Sequence, residues 1–116
     1  MDFKLAVVRG PDPVEVFAGL VQWLGDEEEL RGALRIESVP PKPGHLGFLA
    51  DTLVVMLGGG AAVGVLLGSL RGFLSRPRNA DALMLLERPD GQHVEFGAAQ
   101  IEHAEAFLRR AMEQQE

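Results

Sequence analysis

The chain has no cysteine and no tyrosine, only one tryptophan, Trp23, and fewer basic than acidic residues, 11 against 17. Without thiols, disulfide bonds, thiolate catalysis and zinc–thiolate sites are excluded. The scarcity of aromatic rings leaves little on which bases or sugars could stack. A formal net charge of −6 opposes binding to phosphate backbones, which calls for a basic footprint, so no nucleic-acid partner is expected. Met1-Asp2-Phe3-Lys4 also lacks the basic region, long apolar region and cleavage site of a secretory signal, and the expected address is cytoplasmic.

What the chain does hold is aliphatic. Its hydrophobic content of 47% against 24% charged residues argues for a folded domain, and 116 residues suit one core better than two, so residues 1–116 are read as a single domain. Phe3, Leu5 and Val7 alternate with their neighbours and predict a strand that stops at Arg9-Gly10-Pro11. Asp12, Pro13 and Glu15 then stand at capping positions of a helix whose apolar face is Val14, Phe17, Leu20, Val21 and Leu24, with Gly25 placed for a left-handed carboxy-terminal cap. A short helical turn over Asp26–Arg31 precedes a second strand beginning at Leu34. Pro40, Pro41, Pro43 and Gly44 make the next connection stiff and extended.

From Leu46 the period lengthens. Leu46, Leu49, Ala50, Leu53, Val54 and Leu57 predict one helical face, Gly58-Gly59-Gly60 bends it, and Val63, Leu66, Leu67, Leu70, Phe73 and Leu74 carry it on to Pro77. Ala82–Glu87 and His93–Gly97 flank Pro89-Asp90-Gly91 and predict a hairpin, and Ile101, Ala104, Phe107, Leu108, Ala111 and Met112 predict a final amphipathic helix. The expected architecture is therefore α+β: a four-stranded mixed sheet in the order β-α-β-α-β-β-α, with a long central glycine-rich apolar helix or kinked helix pair.

Chemistry is hard to find. His45, His93 and His103 have no paired metal-ligand spacing, and His93 with Glu95 across one pleat supplies only two ligands. Gly58 to Gly64 lacks the Lys-Ser/Thr ending of a phosphate loop and follows an apolar run read as helix rather than strand. Ser38, Ser69 and Ser75 have no nucleophile-elbow surroundings. Neither catalytic residues nor a cofactor is expected. The informative feature is instead Gly60, Gly64, Gly68 and Gly72, which recur every fourth residue and leave one helical stripe without side chains. Glycine costs about 1 kcal/mol against alanine in a helix interior, so close packing against that stripe, by another element or a second copy, is expected to compensate.

No charge interrupts the chain between Asp51 and Arg71, a run close to the roughly 20 residues of a spanning helix. Release of Leu53–Leu74 into a bilayer after activation is therefore the alternative to a purely buried helix.

The segments Trp23-Leu24, Leu30-Arg31-Gly32, Pro40-Pro41-Lys42-Pro43-Gly44-His45-Leu46-Gly47, Ala50-Asp51-Thr52-Leu53-Val54-Val55, Ser69-Leu70, Phe73-Leu74 and Pro89-Asp90-Gly91 together resemble the effector-associated constant component family of bacteria. The resemblance implies a small non-enzymatic part of bacterial conflict or immune systems. Its implied partners are effector-associated adaptor domains, peptidases of caspase-like or trypsin-like type and signalling NTPases. Phe73 stands where the family pattern expects Trp, and His45 where an acidic residue is frequent, so neither is assigned a recognition role. The expected function is protein interaction and assembly, through Gly60, Gly64, Gly68 and Gly72 and through Pro40, Pro41, Pro43 and Gly44, with an effector partner or as a homo-oligomer.

Overall fold

A computed structural model describes residues 1–10, 12–39 and 50–114. Its elements are β1 (Asp2–Arg9), α1 (Pro13–Gly25), β2 (Leu34–Val39), β3 (Ala50–Met56), α2 (Gly60–Leu74), β4 (Leu83–Glu87), β5 (His93–Phe96) and α3 (Ile101–Gln114). Short 3-10 turns occupy Glu28–Leu30, Pro77–Asn79 and Ala98–Gln100. The α+β class holds, but among the described residues the sheet has five strands in the order β2-β3-β1-β4-β5, every neighbouring pair antiparallel, where four strands in a mixed sheet were expected.

The additional strand is β3, taken from what the sequence presents as the first half of a long helix. Leu53 pairs with Leu5 and Val55 with Phe3, and all four side chains are fully buried against the helices. On the opposite face Thr52 and Val54 are also buried, Val54 lying between Lys4 and Arg35 across the two neighbouring strands. A strand apolar on both faces shows no period of two, so its residues can be fitted to a helical repeat by chance. The β-branched Thr52, Val54 and Val55 favour the extended form. Gly58 and Gly59 consequently join a strand to a helix instead of bending one helix, and α2 begins at Gly60 after an extended Gly59.

The three helices lie on one side of the sheet. Phe3, Leu5, Leu53, Val55, Met84, Leu86 and Phe96 form one contiguous core with Phe17, Leu20 and Leu24 of α1, Val63, Leu66, Leu70 and Leu74 of α2, and Ala104, Leu108 and Ala111 of α3. β1 sits at the centre, hydrogen-bonded to β3 on one side and β4 on the other. The hairpin forms as expected, with Met84 opposite Phe96 and Leu86 opposite Val94, and Gly91 supplies a positive φ of 94° in its turn.

The start of α1 matches its sequence signals, since the Asp12 carboxylate accepts a hydrogen bond from the Glu15 backbone N–H at 3.2 Å and Pro13 opens the helix. Two details differ. Val14 is 79% exposed, so Val16 takes its expected place in the core. Gly25 is not left-handed; the helix passes into a right-handed Asp26, and the positive φ falls at Gly32.

Replacing Leu5 by Ala should cost about 2–5 kcal/mol, because a fully buried side chain between two paired strands leaves a cavity the sheet cannot close. Ile36→Thr, at a half-exposed edge position, should cost less than about 0.5 kcal/mol. Urea denaturation of the two variants checks the contrast.

Candidate interaction cleft

The fold brings together a site that no segment of the chain announces. Successive turns of α1 place Glu15, Gly19, Gln22 and Asp26 along one wall of a cleft, and the end of α2 with the Pro77–Asn79 turn forms the other. The cavity measures about 810 Å³. Its floor is aromatic: Trp23 and Phe73 pack with ring centroids 6.1 Å apart at 60°. Gly19 has no side chain to fill the space above Phe73, whose ring lies 3.7 Å from where a Cβ would stand.

Trp23 is fixed from α2. Its Nε1 donates to the Ser69 carbonyl at 2.8 Å, and its ring edge lies against Gly72, where a Cβ would stand only 3.2 Å from Cζ2. The Arg76 guanidinium lies 5.0 Å from the Trp23 ring centroid, a cation–π arrangement at the cleft rim. Asn79 is buried and donates from Nδ2 to the Phe73 carbonyl at 2.9 Å, which holds the turn carrying Arg76 and Arg78 against the end of α2. Arg78 reaches across the mouth to Glu15 at 3.5 Å, but with side chains 86% and 67% exposed this pair contributes well under about 1 kcal/mol. An aromatic floor with arginines at its edge has the composition of protein-interface hot spots.

The residues expected to act from sequence fall elsewhere. Gly60, Gly64 and Gly68 are exposed on the face of α2 turned away from the sheet, and no atom of the described residues lies within 4 Å of a Cβ built on any of them. Close packing within the chain is therefore overturned at these three positions and present only at Gly72, through Trp23. Pro40, Pro41, Pro43, Gly44 and His45 lie outside the described residues. The single long apolar helix is absent: Leu53–Leu74 is divided between β3 and α2, and no helix of the described residues is long and apolar enough to cross a membrane.

Among the described residues no group of three or more His, Asp or Glu is arranged to hold a metal. His93 and Glu95 are exposed together on β5, and His103 is exposed on α3. One ground for rejecting a phosphate loop changes, since Gly58 and Gly59 do follow a strand. The other remains, because no Lys-Ser/Thr pair follows the glycines.

Residues 9–115 match the model of the family described as Effector Associated Constant Component 1. The chain belongs to that family. No curated protein and no solved structure matches it. Within this Effector Associated Constant Component 1 domain, Phe73, denied a role on sequence grounds, proves to be part of the cleft floor. The residues of the cleft are separated by more than forty positions in the chain, so local pattern could not have joined them. The one available signal was a lone Trp with a glycine in the facing helix.

Gly64→Ala and Gly68→Ala should each stabilise the fold by roughly 0.5–1 kcal/mol, because open space receives the methyl group and helix propensity improves. Gly72→Ala should lose that gain, since the Trp23 ring it would press is tethered to Ser69. Thermal or urea unfolding of the three single variants checks this reversal of sign along one helix.

Proposed function

We propose that this Effector Associated Constant Component 1 domain is a non-enzymatic interaction component of a bacterial conflict system, and that it docks a protein partner in the cleft between α1 and the Pro77–Asn79 turn. The partner class is an effector-associated domain or a peptidase of caspase-like or trypsin-like type. The observation that carries this reading is a partly exposed Trp23 backed by a buried Phe73, with an arginine rim, Arg76 and Arg78, in a cavity of about 810 Å³. A ring already held in place offers a partner side chain rigid apolar surface at low entropic cost. The polar atoms behind it serve architecture: the Trp23 N–H, the Asn79 amide and the Asp12 carboxylate are each bonded to backbone groups of the domain itself. The role is assembly, with no turnover and no cofactor.

The test is co-expression of the full chain with effector-associated proteins encoded beside it, followed by size-exclusion chromatography with light scattering. A defined complex is expected. Gly19→Leu, which fills the cleft from an exposed helical position, should weaken that complex by at least about tenfold while far-UV circular dichroism stays unchanged. Failure to form any complex, or a complex indifferent to Gly19→Leu, would remove the cleft from the proposal.

A further inference from the structure

The charges around the cleft are sorted by wall. Asp12, Glu15 and Asp26 come from α1 and its flanks, Arg76 and Arg78 from the opposite turn. Both arginines already have partners inside the chain, Arg78 the Glu15 carboxylate and Arg76 the face of Trp23. Asp12 is engaged at the start of α1. Asp26 stands apart: it lines the cleft next to the aromatic floor, its side chain is exposed, and it makes no ion pair or side-chain hydrogen bond with any described residue. Arg76 keeps its charge over the neutral indole, so three carboxylates against two guanidiniums leave the cleft lining with a formal charge of −1, in a chain whose formal net charge is −6.

We infer that the occupant of the cleft is an extended segment of a partner protein carrying Arg or Lys, its cation seated between Asp26 and the Trp23 ring. This rests on the reading of the cleft as a protein-docking site and names the chemistry of what docks there. Glu15 and Asp26 are three helical turns apart, about 16 Å, which an extended peptide covers in about five residues. Gln22, exposed between them, is placed to hydrogen-bond a peptide backbone running along the wall. The resident Arg76 occupies one approach to the indole and competes with the incoming cation for it. Arginine should bind better than lysine, because its planar guanidinium can stack on the ring while its N–H groups reach the carboxylate.

Trp23 is the only tryptophan and there is no tyrosine, so the intrinsic fluorescence of the intact chain reports on this cleft alone. The experiment titrates the full chain with end-blocked pentapeptides of arginine, lysine, serine and glutamate, and with inorganic phosphate, while following Trp23 emission. The arginine peptide should give a saturable change that weakens as salt is raised, the lysine peptide a weaker one, and serine, glutamate and phosphate none. Asp26→Asn should reduce affinity for the arginine peptide by about fivefold, and Arg76→Ala should raise it by a similar factor. Absence of a saturable response to arginine, an equal response to glutamate or phosphate, or indifference to Asp26→Asn would each overturn the inference.

The two proposals fail separately. A protein complex that Gly19→Leu abolishes but that the arginine peptide neither mimics nor displaces leaves the docking cleft standing and removes the basic segment. Peptide binding without any protein complex leaves the cleft and its preference for a basic segment standing and removes the partner class named for it.

Discussion

The position of β1 between β3 and β4 is the constraint from which the remaining structure follows. Phe3 and Leu5 are completely buried because hydrogen-bonded strands flank them on both sides and helices cover them from one face. Once β3 is committed to that pairing, Gly58 and Gly59 must turn the chain out of the sheet and α2 must return across it before β4 can pair on the other side of β1. That path makes α2 the middle helix, in contact with α1 on one flank and α3 on the other. The long charge-free stretch is thereby explained by a buried strand followed by a helix buried along one face, with uncharged glycine and alanine on the other, and a membrane is not needed to account for it.

The same placement creates the cleft. With α2 held against the core by Leu66, Leu70 and Leu74, its last turn carries Gly72 and Phe73 to α1, where the missing side chain at Gly72 admits the edge of Trp23. The indole N–H then finds the Ser69 carbonyl, a polar anchor for an otherwise apolar ring at the surface. Asn79 closes the end of α2 and sets the turn that carries both arginines. Each step uses a contact between residues far apart in the chain. A bare position inside a helix therefore has two different meanings here: at Gly72 it accommodates a neighbour, and at Gly60, Gly64 and Gly68 it leaves smooth exposed backbone.

Sequence and structure agree most closely where a feature is local. Asp12 caps α1 because carboxylate and amide are three residues apart, the β4–β5 hairpin closes around Asp90-Gly91 because only a short turn is involved, and the α3 face of Ile101, Ala104, Leu108 and Ala111 is a plain helical stripe. They part at β3. Thr52 and Val54 are buried on the face opposite Leu53 and Val55, which erases the alternation by which a strand is recognised, and the spacing of Leu46, Leu49, Leu53 and Leu57 imitates a helix. One misplaced element changed the strand count, the sheet type and the supposed long helix together.

By itself the amino-acid order determined that this is an aliphatic, thiol-free α+β domain with a net negative charge, where its first and last helices and its hairpin lie, and that it resembles the family to which it belongs. Those properties depend on composition, on caps and turns a few residues long, and on the periodic spacing of apolar side chains. Only the tertiary structure decided that Val54 and Val55 lie in a central strand, that three of the four glycines face outward, and that Trp23, Phe73 and Arg76 meet around one cleft. Strand pairing and helix packing join residues across long stretches of chain, and the free energy that selects those contacts comes from burying surfaces that become neighbours only when the whole domain has folded.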